Sequence, residues 1–190
     1  MNIHQEILAK SEQNGHVCLY QHLKNVADTA RVMAKHLGFD EQIAVEGALL
    51  HDIGKASPVF QQSLISPNKK PGSVFRHEIA SLFFLSLVCQ EHRDAVIDMI
   101  VAHHKSMYKD VRDLGILDLD DASDCFKEHS KLFPEWSHIA IDILESLGME
   151  THEVSLEEAK ENYEYVIDYC DGRKKGCSEL RVLLMAADHM

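Results

Sequence analysis

Apolar residues recur at helical spacing along most of this chain. Between Leu19 and Leu37 they fall at Leu23, Val26, Ala27, Ala30, Met33, Ala34 and Leu37, the spacing that buries one face of a helix. Gly38 stops that helix. Asp40 is an N-cap for a second run through Ile43, Val45, Ala48 and Leu49 to Leu50. Pro58 to Ile65 reads as a short helix with proline at its first position. Ser66 to Ser73, rich in proline, lysine and glycine, reads as a loop.

A helix from about Arg76 to Cys89 follows, apolar through Ile79, Leu82, Phe83, Leu85 and Leu87. Another covers Arg93 to His104, with Val96, Ile97, Ile100 and Val101 inward. Lys105 to Asp121 is less regular and reads as a connection. Further helices are predicted over Ala122 to Leu132, Ser137 to Leu147, Leu156 to Tyr169, and Ser178 to the end. Ser155 and Glu158 have capping-box spacing. No strand, internal repeat or low-complexity tract is expected. The pattern predicts an all-α fold, a single helical domain over residues 1–190.

Composition agrees with that picture. The 190 residues, 45% of them hydrophobic, are enough for one well-formed core. No run approaches the ~18–20 apolar residues of a membrane span. Met1 to Glu6 lacks the basic start and apolar core of a signal peptide, so a cytoplasmic location is expected. The five cysteines, Cys18, Cys89, Cys125, Cys170 and Cys177, are odd in number and have no CxxC spacing. They read as ordinary thiols rather than a disulfide framework or a zinc knuckle.

A net charge of −12 argues against a general nucleic-acid coat, although it leaves room for a metal-centred site that engages one phosphate. The basic clusters at Lys69-Lys70, Lys105 to Arg112 and Arg173 to Lys175 read first as solvated loop charge.

The thirteen histidines are the anomaly. His51 and Asp52 adjoin at the end of an apolar run, offering an imidazole nitrogen and a carboxylate to one cation. In isolation such a pair is a capping histidine beside a solvated aspartate. His22 lies near the buried face of the first long helix, where a lone histidine is more often a core residue than a ligand. His77 opens a helix and has a surface reading as well. His103 and His104 project about 100° apart on a helix, so they can hold one metal from two sides or put one histidine behind the other. Asp188 follows Leu183, Leu184, Ala186 and Ala187. It is either a frayed end or a buried carboxylate in need of a cation or a hydrogen-bond network. His4, His16, His36, His92, His129, His138 and His152 fall in exposed or unpatterned places, and neither they nor His189 is assigned any chemistry.

The order His22, His51-Asp52, His77, His103-His104, Asp188 resembles the HD superfamily of metal-dependent phosphohydrolases. It is most similar to the HD nuclease domain of the CRISPR-associated type I interference nuclease-helicase. The resemblance rests on His51-Asp52-Ile53-Gly54-Lys55, Ser57 to Gln61, Phe75-Arg76-His77-Glu78, Ala102-His103-His104 and Ala187-Asp188-His189. It implies one metal held by His22, His51, Asp52 and Asp188, and a second held by His77, His103 and His104, with Asp52 bridging. Such a set suits one or two divalent ions of Fe, Mn, Co or Ni better than Mg or Ca. Two ions about 3.5–4 Å apart activate a water and steady the leaving oxygen of a phosphodiester.

The resemblance further implies that Asp52 and Lys55 are catalytic, Lys55 as a charge stabiliser near the scissile phosphate. The activity implied is cleavage of single-stranded DNA in CRISPR interference, an antiviral defence. The implied partners are a superfamily 2 helicase and an RNA-guided surveillance complex. No Walker A motif is present, so the domain is expected to be excised from a helicase or to work with a separate one. Lys69 and Lys70 would guide a strand toward His77. The alternative is an HD phosphohydrolase acting on nucleotides or cyclic dinucleotides. Against the cyclic-dinucleotide branch, Lys105-Ser106-Met107-Tyr108 stands where that branch has a glutamate and Gly-Tyr-Pro. A third reading is a helical interaction module with a vestigial metal centre.

Overall fold

The long apolar stripe folds as α1, Leu19–Leu37, in a computed structural model that describes residues 7–11, 15–65, 75–101, 125–172 and 178–190. Its buried positions are Leu19, His22, Leu23, Val26, Ala27, Ala30 and Ala34, so His22 occupies the apolar stripe itself. Gly38 ends the helix at φ 75°, donating its N–H to Ala34, the left-handed cap that glycine adopts without a Cβ clash. Asp40 then caps α2, Glu41–Leu50, by accepting from the amides of Gln42 at 2.8 Å and Ile43 at 3.1 Å. The small residues Ala27, Ala30, Ala34, Ala44 and Ala48 are buried where α1 and α2 pack closely.

Past His51 and Asp52 the chain tightens into a 3-10 turn, Ile53–Ala56, and enters α3, Pro58–Ile65. After residue 74 comes α4, His77–Ser81. The single helix predicted from Arg76 to Cys89 is not formed: α4 gives way to a 3-10 segment, Leu82–Leu87. Leu82, Phe83, Phe84 and Leu85 are all fully buried, whereas a surface α-helix presents some of any four consecutive residues to solvent. The chain departs from helical geometry at Phe84 (φ −99°, ψ 15°). Phe83 lies 5.0 Å from Phe126 and 5.7 Å from Phe133, ring to ring. Phe84 lies 5.6 Å from both Phe133 and Trp136. Asn162 donates to the Phe83 carbonyl at 2.8 Å, satisfying a group that regular helix geometry would have bonded internally.

The remaining helices are α5, Arg93–Ile100; α6, Phe126–His129; α7, Phe133–Ser146; α8, Leu156–Gly172; and α9, Glu179–Asp188. Leu132, at φ 57°, separates α6 from α7, which starts earlier than predicted with Pro134 in its first turn. The Ser155 hydroxyl accepts the Glu158 amide at 3.1 Å as the capping spacing requires. The Glu158 carboxylate instead accepts from His152 at 2.8 Å. Predicted helix beyond Val101 and before Cys125 lies outside the described residues.

The expectation of no strand is corrected: β1, Leu8–Lys10, pairs antiparallel with β2, Val17–Cys18. Three residues and two are too few for an alternating pattern to register. The fold is otherwise helical, as predicted, with α1, α2, α5 and α9 packed around one end of the core. No described helix is long and apolar enough to cross a membrane.

Candidate metal centre

Three chain segments meet at Asp52. His22 comes from the start of the α1 stripe, His51 from the cap of α2, Asp52 from the first residue beyond it, and Asp188 from the last residue of α9. His51 and Asp52 are fully buried, so the aspartate is not the solvated side chain that a bare dipeptide suggests. Asp188 is no frayed end. Its Oδ1 lies 3.4 Å from His22 Nε2 and 3.7 Å from His51 Nε2. Asp52 Oδ2 lies 2.8 Å from His22 Nε2 and 3.3 Å from His51 Nε2.

One donor atom from each of these four residues lies within 4.8 Å of the others. A first-row metal binds N and O donors at about 2.0–2.2 Å, which sets neighbouring donors roughly 3–3.5 Å apart. The cluster has that spacing, and its mixed imidazole and carboxylate donors suit a divalent transition ion. The residues therefore fit a metal. His51 Nδ1 donates to the Ala48 carbonyl at 2.7 Å, which aims Nε2 at the two carboxylates.

The electrostatics follow from this crowding. Burial pushes the His51 imidazolium toward losing its proton. The charge of Asp52 and the hydrogen bond to Asp188 outweigh it and lift the pKa to about 9. Burial likewise works to raise the Asp188 pKa, yet its hydrogen bond and charge pairing with His51 hold it well below the usual carboxylate range.

The other oxygen of Asp52 faces the opposite way. Oδ1 lies 2.9 Å from Nε2 of His77, whose side chain is 13% exposed and so no surface residue. Lys55 is only 7% exposed. Its Nζ donates to Asp52 Oδ2 at 2.5 Å and lies 5.7 Å from the centre of the Phe60 ring. Phe60 in turn meets His77 edge-on at 5.3 Å. His103, His104, Lys69 and Lys70 lie outside the described residues.

Ser81, which motif reading passed over, and Gly54, quoted there only as part of the motif, hold the halves together. Ser81, fully buried on α4, donates to the His51 carbonyl at 3.1 Å and accepts the Gly54 amide at 2.9 Å. It thus ties the backbone on either side of Asp52 to the helix that carries His77. Gly54 permits the approach. A Cβ there would stand 2.2 Å from the His77 carbonyl oxygen and 2.8 Å from the Ser81 nitrogen, a distance no side chain tolerates.

His129 corrects the expectation of an exposed or unpatterned histidine, being fully buried. Its Nε2 accepts the Arg76 amide at 3.0 Å and its Nδ1 donates to the Cys125 carbonyl at 2.9 Å, fixing the approach to α4. Its spacing from Phe126 and Phe133, three and four residues, was the available signal.

Compared with known proteins, the chain matches the HD domain over residues 19–128. No curated protein and no solved structure matches it. The matched stretch contains His22, His51, Asp52, Lys55 and His77, while Asp188 lies beyond it and reaches the cluster through α9. That match spans more than half of the sequence and includes the His51-Asp52 pair, and the chain belongs to the HD domain family, whose members are metal-dependent phosphohydrolases.

Proposed function

We propose that this domain is a metal-dependent phosphodiesterase that cuts single-stranded DNA in CRISPR interference, working with a superfamily 2 helicase domain or subunit and a surveillance complex. The observation that carries the reading is the division of Asp52. Oδ2 faces His22 and His51, while Oδ1 faces His77 at 2.9 Å, the disposition a bridging carboxylate needs. A second ion held by His77 would make use of that second oxygen. The residues His22, His51, Asp52 and Asp188 would hold one ion, and His77, with His103 and His104, a second.

When bound, divalent ions would supply a deprotonated water and neutralise charge on the phosphodiester. The chain does the rest. His51, locked by the Ala48 carbonyl, keeps Nε2 directed at the centre. Asp188 and Asp52 supply the negative charge that balances a dication in a nearly dry site. Lys55 brings a positive charge within three residues of Asp52, suited to an anionic substrate.

The test is incubation of purified protein with Mn, Co or Ni and single-stranded DNA, double-stranded DNA or a cyclic dinucleotide. Cleavage of single strands that is lost in His51→Ala and Asp52→Ala is the expected result. Intact DNA with hydrolysed cyclic dinucleotide would replace this reading with the nucleotide-directed one. No hydrolysis of any phosphodiester would leave the interaction module.

A further inference from the structure

Lys55 stands on the oxygen that a metal would use. Three groups converge on Asp52 Oδ2: Lys55 Nζ at 2.5 Å, His22 Nε2 at 2.8 Å and His51 Nε2 at 3.3 Å. Two of the three are the imidazoles of the candidate metal cluster, and the third is a cation. The side chains of Lys55 and Asp52 are 9% and 1% exposed, so little water screens them. An ammonium and a dication cannot both lie against one carboxylate oxygen in such a place without strong repulsion.

We infer that Lys55 is the internal counter-ion of the metal-free centre and that metal binding displaces it from Asp52, freeing its charge for the anionic substrate. The inference rests on the metal-centre reading above. Asp188 lies beside His22 and His51, whereas buried Asp52 carries Lys55 on Oδ2, so a lysine three residues away gives Asp52 a positive partner without a metal. An incoming ion takes over that duty. The lysine then leaves easily, because a flexible four-carbon stem carries its charge and its backbone need not move. The backbone is indeed pinned: the Lys55 carbonyl accepts from Gln61 Nε2 at 2.7 Å, and the same amide nitrogen bonds the Leu8 carbonyl at 2.9 Å. Substrate-ready lysine would therefore exist only in metal-loaded protein, which orders the assembly as metal first and anion second.

The consequence runs against the ordinary expectation for a residue of an active site. Replacing Lys55 should strengthen metal binding while it weakens catalysis. The experiment is calorimetric titration of chelator-stripped protein with Mn or Co, using the wild type, Lys55→Met and Lys55→Arg. Lys55→Met is expected to bind at least about tenfold tighter, having lost one like charge beside the site, and Lys55→Arg close to wild type. In parallel, a small acylating reagent on wild-type protein, read by mass spectrometry, should label Lys55 faster once metal is added.

Unchanged or weaker metal binding by Lys55→Met, with wild type binding normally, overturns the inference alone. If neither protein binds metal, the metal-centre reading falls and takes the inference with it. Should Lys55→Met fail to fold, the labelling decides: a rate unchanged or slowed by metal overturns the inference.

Discussion

Asp52 and His77 meet at 2.9 Å through Oδ1 and Nε2, across the gap between the turn after α2 and the first residue of α4. This contact joins the four-residue cluster to the rest of the site, because Oδ2 of the same carboxylate belongs to the cluster. Asp52 and His77 should therefore fail differently. Asp52→Asn is expected to lower metal content at every site and reduce hydrolysis by well over a hundredfold, since the loss of even an outer partner costs 10–100-fold. His77→Ala should reduce hydrolysis comparably but leave one ion on His22, His51, Asp52 and Asp188. Metal analysis of the two variants, alongside cleavage rates, checks the distinction.

Metal affinity should climb with pH well past the range of an ordinary histidine. In the metal-free protein the His51 pKa is raised from 6.5 to about 9, and a metal requires the free Nε2 lone pair. Affinity is expected to rise roughly tenfold per pH unit between 7 and 9 and then level off. The stability of the metal-free fold should move the other way. A raised histidine pKa contributes stability that is complete below pH 6.5 and fades as pH rises through about 9. Asp188, whose pKa is lowered, contributes stability present above the usual carboxylate range and lost only in strong acid. Calorimetric titrations at three pH values and thermal melts of stripped protein measure both trends.

Gly54→Ala should damage the site without touching any charged group. The new Cβ would meet the His77 carbonyl at 2.2 Å, so the turn and α4 must separate. The expected loss is about 1–3 kcal/mol of stability, as for other overpacked positions. Metal-dependent hydrolysis should fall with it, because Asp52 and His77 lie on the two separating segments. A denaturant titration and a rate measured on the folded fraction separate these effects.

Phe84→Ala should do the reverse. Its ring packs against Phe133 and Trp136, on the side of the core formed by α7. Truncation is expected to cost about 3–5 kcal/mol. Metal affinity of the protein that remains folded should be unchanged. A shift in the unfolding midpoint with an unaltered metal titration is the checking pair of measurements.

Much of this architecture is legible in the chain because its helices are long and strongly periodic. Leu19–Leu37 and Glu41–Leu50 are read to the residue, since a buried stripe, a glycine stop and an aspartate cap all act locally. Where burial surrounds a segment, periodicity disappears. Leu82 to Leu85 is apolar on every side and carries no signal separating 3-10 from α. The strands at Leu8–Lys10 and Val17–Cys18 are too short to alternate.

The site divides along the same line. His51-Asp52 and Lys55 stand together in sequence, and the order of His22, His77 and Asp188 around them was visible as a resemblance. Residue types and spacing thus name the chemistry: nitrogen and oxygen donors suited to a divalent ion. Which oxygen of Asp52 meets which partner is a matter of packing between α1, α4 and α9, elements far apart in the chain. So is the burial that gives Lys55 an aspartate instead of solvent, and that makes Ser81 and Gly54 part of the centre. Local patterns specify helices because backbone and solvent act over a few residues. Charge pairing at Asp52 depends on distances that exist only once those helices are packed.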